Sequence, residues 1–174
     1  MYQFISNLPK QRLPWVLLAL TGMGLEASAL FFQYVMELSP CVLCVYERVA
    51  IMGIIIAGLV GAIAPANPVI RLSGFTLWFV SAGYSLILAI EHTDIQLNPS
   101  PFSTCDFFPN FPTWAPLHEW APWLFNPTGF CDEINWQFLS FTMPQWLIVA
   151  SSIYLAVAVI VFSCHITGLI KSAK

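Results

Sequence analysis

Five cysteines stand in the 174-residue chain: Cys41, Cys44, Cys105, Cys131 and Cys164. Two of them make a Cys-x-x-Cys, Cys41-Val42-Leu43-Cys44, directly after Pro40. A disulfide that closes so short a loop removes little freedom from the unfolded chain, so it is a poor staple. The spacing suits redox cycling instead, because one thiol can resolve a mixed disulfide formed on the other. Pro40 removes a backbone donor and stiffens the chain ahead of the motif. Arg48 follows Cys44 by four residues, on the same helical face once a helix has begun. A guanidinium fixed there stabilises a thiolate at Cys44 and any anion formed beside it.

The elements that must position these groups belong to a membrane protein. The chain is 58% hydrophobic and 9% charged, with mean hydropathy +0.75, whereas a soluble domain carries about 25% charged residues. This excludes an ordinary soluble globular protein, a disordered chain and a nucleic-acid binder with a basic footprint. Four segments are apolar over the roughly 20 residues a crossing helix needs: 13–32, 45–64, 72–90 and 146–162. No segment shows the alternation of a membrane barrel strand. The expected fold class is an all-α membrane protein, a four-transmembrane-helix bundle forming one integral membrane domain over 1–174. Gly53, Ala57, Gly58 and Gly61 suit close helix packing in the second span.

Lys10 and Arg12 precede the first span, Arg71 lies between the second and third, and Lys171 and Lys174 follow the fourth. With four crossings these five cations share one side, which the positive-inside rule makes cytoplasmic. The loops 33–44 and 91–145 then face outward and contain no Lys or Arg. The first span ends in Ala27-Ser28-Ala29, which has the small-residue form of a signal-peptide cleavage site. Glu26 and the apolar continuation to Phe32 favour an uncleaved helix. Arg48 alone departs from the charge pattern. One reading is a snorkelling side chain at the headgroups, loosely paired with Glu47; the functional reading ranks ahead of it, because ionisable residues in a span mark function by default.

Residues 91–144 hold eight prolines, twelve Phe or Trp residues and six acids. The prolines exclude a long helix, and the aromatics are too many for a solvated linker. Trp114, Leu117, Trp120 and Leu124 fall at helical spacing, which fits a short interfacial helix interrupted at Pro122, or equally a small aromatic cluster over the helix ends. This segment carries Cys105 and Cys131, while Cys164 lies about 30 Å away across the hydrocarbon and reads as a small apolar residue. Four outward cysteines allow three pairings; the closeness of Cys41 to Cys44 leaves Cys105 with Cys131. With 25 residues between them, the second disulfide serves equally as a structural closure worth about 3–4 kcal/mol or as an exchangeable bond open to a soluble thiol protein. A four-thiol zinc site ranks well below both, since the chain lacks a second Cys-x-x-Cys. The parts make a relay: thiol exchange moves electrons from a loop dithiol to one at the mouth of a helix bundle. With neither haem-ligand spacing nor a dinucleotide loop in the chain, a lipid-soluble quinone is the acceptor that suits the position of Cys44.

The run Pro40-Cys41-Val42-Leu43-Cys44-Val45-Tyr46-Glu47-Arg48 resembles the disulfide bond formation protein B (DsbB) family of bacterial inner membranes. So do Glu91-His92-Thr93, the run 99–107 around Cys105, Cys131 and Met143-Pro144-Gln145-Trp146. The resemblance implies a thiol:quinone oxidoreductase with cytoplasmic termini and a long periplasmic loop. By it, Cys105 takes a mixed disulfide with a DsbA-like periplasmic thiol oxidase, Cys131 resolves it, and Pro101 and Phe102 lie in that partner's apolar groove. It also implies that Cys41 and Cys44 pass the electrons to ubiquinone or menaquinone, with a thiolate–quinone adduct at Cys44 and Arg48 polarising the quinone oxygen. His92 resembles a family position near the quinone, although a single interfacial His is more often a hydrogen-bonded surface residue. Glu26 and Glu47 match the family without an assigned role. Two alternatives use the same residues: an oxidase dedicated to one specialised DsbA-like partner, and a non-catalytic membrane scaffold with two structural disulfides.

Overall fold

The computed structural model describes residues 2–98, 105–106 and 108–172. In chain order these form α1 (Tyr2–Asn7), a 3-10 turn (Leu8–Lys10), α2 (Arg12–Tyr34), α3 (Val42–Ile63), α4 (Pro68–Leu97), α5 (Leu117–Trp120), α6 (Pro122–Phe125), the strands β1 (Gln137–Phe138) and β2 (Phe141–Thr142), and α7 (Met143–Ser172). The helices α2, α3, α4 and α7 are each long and apolar enough to cross a membrane. The chain is therefore an all-α membrane protein with four spanning helices.

Local chemistry sets where these helices begin. Asn67 caps α4, its side-chain oxygen accepting the Val69 N–H at 2.9 Å, and Pro68 takes the first helical position. Ahead of α7, the Gln145 side chain reaches back to accept the Thr142 N–H at 2.8 Å. At its far end α4 runs on past the apolar stretch that closes at Ile90, through Glu91, His92 and Asp94 to Leu97. Neither Gly nor Pro occurs between Gly83 and Pro99, so nothing stops the helix where the charges begin. His92 consequently sits on rigid helix.

In the bundle α3 packs against α2 and α4, and α4 packs against α7. Among the described residues α2 and α7 pack less closely, with Tyr154 hydrogen-bonded to Thr21 across an apolar seam between them. Trp15, Leu18, Ile54, Phe75, Trp78 and Ala158 build the main core. A Cβ at Gly58 would meet the Trp15 carbonyl oxygen and the Ala19 nitrogen, both at 2.7 Å, and one at Gly61 would enter the Trp15 ring. Small residues thus let α2 lie directly on α3. Between α4 and α7, the wholly buried hydroxyls of Ser85 and Ser151 hydrogen-bond at 2.8 Å.

The remaining elements cap the two ends. At the end shared by both termini, α1 lies against α7, where His165 donates from Nδ1 to the Ser6 carbonyl at 2.8 Å. Trp15 donates from Nε1 to the Pro9 carbonyl at 2.9 Å, holding the 3-10 turn to α2. So short a helix has no stability of its own, and its dependence on these contacts explains why sequence periodicity does not reveal it. At the opposite end, α5 and α6 are two single turns joined at Ala121. Pro116 caps α5, Pro122 opens α6, and Trp114 lies outside both turns at an exposed position. Leu124 and Phe125 anchor this segment against Val45, Val49 and Leu30. The β1–β2 hairpin pairs Gln137 with Thr142 and Phe138 with Phe141. Its turn residues Leu139 and Ser140 both have positive φ (51° and 67°), the twist that a two-residue hairpin turn needs.

The α2–α3 contact gives a controlled test. Gly58→Ala is expected to destabilise the protein in detergent by about 1–3 kcal/mol, the usual cost of overpacking. Gly83 has open space where its Cβ would be, so Gly83→Ala is expected to leave the melting temperature unchanged or raise it. Thermal unfolding of the two variants side by side measures the difference.

Candidate functional site

The Cys-x-x-Cys begins α3. Cys41 is the N-cap in extended conformation, and its Sγ accepts the Cys44 N–H at 3.3 Å. The helix starting at Val42 therefore puts Cys44 and Arg48 one turn apart on one face, as the sequence spacing requires. The Cys41 and Cys44 sulfurs are unbonded and 2.9 Å apart. His92 reaches in from α4, its Nε2 3.6 Å from Cys41 Sγ. On the other side of the ring, Nδ1 lies 3.0 Å from Glu47 Oε1, with both residues buried.

Arg48 is 6% exposed. Its guanidinium donates to Gln33 Oε1 at 2.6 Å, to the Leu124 carbonyl at 2.9 Å and to the Ala29 carbonyl at 3.3 Å. It does not snorkel, and Glu47 turns to His92 instead of pairing with it.

Cys105 and Cys131 form a disulfide, with Cα atoms 6.1 Å apart. Cys131 is buried with Cys41, Leu43, Ala50 and Leu88, and Cys44 and Cys105 pack against the same cluster. Backbone bonds cause this: the Thr128 and Gly129 N–H groups both donate to the Pro40 carbonyl, at 2.8 and 3.0 Å. A Cβ at Gly129 would lie 2.5 Å from the Ser39 carbonyl oxygen, so only glycine permits this approach. Farther along, the Asn110 N–H donates to the Tyr46 hydroxyl at 2.6 Å. Pro101 and Phe102 lie outside the described residues.

Cys41, Cys44, Arg48 and His92 all line one cavity of ≈ 240 Å³. Its walls are mainly apolar and aromatic, including Phe32, Trp136, Trp146 and Leu147, with Glu26 at the side of α2. Glu26 Oε2 is buried and has no hydrogen-bond partner among the described residues. A second cavity of ≈ 640 Å³ follows the seam between α2 and α7, and Leu25, Ser28 and Ala150 line both. The Cys41, Cys44 and His92 donor atoms lie within 4.8 Å of one another. Two thiolates on a tetrahedral zinc stand about 3.8 Å apart, so the observed sulfur spacing suits a dithiol about to close. Of the four thiols in the zinc alternative, Cys105 and Cys131 are bonded to each other in the structure.

The family model for disulfide bond formation protein DsbB matches residues 11–161. A disulfide bond formation protein B of Psychromonas ingrahamii is 60% identical over 170 residues, covering 98% of this chain and 90% of its own length. Those of Aeromonas hydrophila (52% over 161 residues, 92% and 93% coverage) and Aliivibrio fischeri (56% over 147 residues, 84% and 87%) agree.

The chain belongs to the DsbB family. It is a disulfide-generating oxidoreductase built into a membrane by four helices. Within this DsbB-family fold, two residues escaped functional assignment from sequence. Glu47 meets His92 across helices 45 positions apart, and the only signal in the sequence was an acid inside an apolar span. Gln33, the closest partner of Arg48, gave no signal at all.

The fit at Gly129 is testable. Gly129→Ala is expected to push the 126–131 segment off Ser39 and Pro40, and to slow electron exchange between the two cysteine pairs about tenfold or more, the cost of misplaced reacting groups. Single-turnover oxidation, with the state of each pair read by thiol trapping, measures it.

Proposed function

We propose that the protein oxidises a periplasmic thioredoxin-like dithiol protein of the DsbA type and passes the electrons to a membrane quinone, ubiquinone or menaquinone. The electrons travel through Cys105–Cys131 to Cys41–Cys44. In this reading the chain is one integral domain of the bacterial inner membrane, with both termini in the cytoplasm beside Lys10, Arg12, Arg71, Lys171 and Lys174. One observation supports the quinone above all: the unbonded Cys41–Cys44 pair faces a cavity that continues into an apolar seam between α2 and α7. A lipid-soluble acceptor can come from the bilayer along such a seam, which a water-soluble one would not use.

The residues present fit a quinone ring. Apolar and aromatic side chains suit its faces, while the Arg48 guanidinium suits one of its oxygens. When bound, the quinone accepts two electrons and two protons as the dithiol becomes a disulfide. Arg48 holds a fixed positive charge in the cavity wall, oriented by Gln33, Ala29 and Leu124, and so needs no reorganisation as negative charge develops. Cys44 is the electron donor and Cys41 the thiol that closes the disulfide. Packing of Cys105 and Cys131 against Cys41 keeps the two pairs within one buried cluster, where thiol exchange between them needs little motion. Pro101 and Phe102 would seat in the partner's groove. An oxidase dedicated to one partner would use the same parts. The scaffold alternative gives no use to the cavity that Cys41 and Cys44 line.

Mixing purified protein, a reduced DsbA-like partner and a quinone, and following quinone absorbance, tests the reaction. Loss of absorbance with one partner disulfide formed per quinone is expected, and a Cys44→Ser variant is expected to abolish it. Unchanged partner oxidation by that variant would sink the proposal. Arg48→Ala is expected to raise the apparent quinone KM about tenfold to a hundredfold, the worth of a charged hydrogen bond of about 1.5–3 kcal/mol. Arg48→Lys keeps the charge without the planar fork and is expected to fall between.

A further inference from the structure

We propose that Glu47 is the positioning residue of a proton relay in which His92 takes the thiol proton of Cys41. The relay rests on the reading of Cys41 and Cys44 as a quinone-reducing pair, and adds what neither sequence nor family membership supplied: a use for Glu47.

Three buried groups stand in line. Glu47 Oε1 is 3.0 Å from His92 Nδ1, and His92 Nε2 is 3.6 Å from Cys41 Sγ. A carboxylate accepts hydrogen bonds and donates none, so the ring proton sits on Nδ1 and the Nε2 lone pair faces the thiol. Glu47 therefore fixes both the orientation and the tautomer of the base, the part a buried carboxylate plays toward histidine in hydrolytic triads. The second sulfur waits beside the first, 2.9 Å away. Stability alone does not account for the pair, because burying two hydrogen-bonded polar groups rarely outperforms apolar side chains of the same volume.

The step balances as follows. The Cys41 S–H bond breaks and its proton moves to His92 Nε2. The electron pair left on Cys41 forms the S–S bond to Cys44, whose own S–H bond is also lost. The two sulfurs are oxidised and the quinone is reduced by two electrons. Both protons end on the resulting quinol, the one from Cys41 by way of His92, which returns to its starting tautomer. His92 touches the reacting thiol; Glu47 acts only through it.

Two measurements test the relay. In quinone reduction, Glu47→Gln is expected to lower kcat about 10²-fold, the scale of a general-base contribution, with a smaller change in quinone KM, since the Glu47 carboxylate is engaged by His92. Glu47→Asp is expected to recover part of the loss. The second measurement needs no quinone: in a Cys44→Ser background, the alkylation of Cys41 by iodoacetamide is followed. Glu47→Gln and His92→Gln are each expected to slow it about tenfold or more, and the double variant is expected to be no slower than His92→Gln alone. Equal alkylation rates with and without the Glu47 carboxylate overturn the relay, as does additive slowing in the double variant, which marks Glu47 as a prop for the helices. Should Glu47→Gln fail to fold, His92→Gln decides: unchanged Cys41 alkylation overturns the relay, and slowing supports it. If alkylation follows the expected pattern but even the unaltered protein consumes no quinone, the thiol activation stands and the quinone reading falls.

Discussion

A guanidinium buried at the end of an apolar helix needs acceptors close around it, because a buried charge left without hydrogen bonds is costly. Arg48 finds acceptors on two separate stretches of chain: Gln33 and Ala29 on α2, and Leu124 in the segment between α4 and α7. That requirement fixes how close α2 approaches α3 at the cysteine end. It also draws α6 down onto the bundle, where Leu124 and Phe125 find apolar cover. Once α6 is held, the chain that follows passes over Pro40 and delivers Cys131 to Cys41. The arrangement of the cysteines is thus downstream of one cation's need for oxygen atoms.

The same side chain shows why a binding site and a structural anchor need not compete. Its three acceptors hold the fork still, and a cation held still is worth more to a developing anion than one free to move. The neighbouring polar groups follow a similar rule. Glu47 is satisfied by His92, and the seryl pair of α4 and α7 by each other. Glu26 differs, keeping one oxygen unpartnered on the cavity wall.

Much of this was legible before any coordinates. Four apolar runs predicted four crossing helices, because length and composition suffice for that inference. The Cys-x-x-Cys and the cation one turn later stood on one helix face, since both lie within a single element whose period is known. What was hidden depended on contacts between elements. The charges at Glu91, His92 and Asp94 looked like the start of a loop, yet the helix runs on because no breaker intervenes, and this carries His92 to Glu47. The turn of Gly129 over Ser39, the docking of α1 on α7 and the acceptors of Arg48 are long-range matches of shape and hydrogen bonding. Neither periodicity nor local spacing encodes them.

The loop closed by Cys105 and Cys131 has attachments that do not involve sulfur. Asn110 is tied to Tyr46, Leu124 to Arg48, and Thr128 with Gly129 to Pro40. Opening the disulfide therefore frees two thiols without freeing the segment that bears them. Chain entropy, which makes a disulfide across a floppy loop hard to re-form, is already spent in these non-covalent ties. In the proposed relay the cost of each cycle would then fall on a few bonds at sulfur, with no refolding of the attached segment in between.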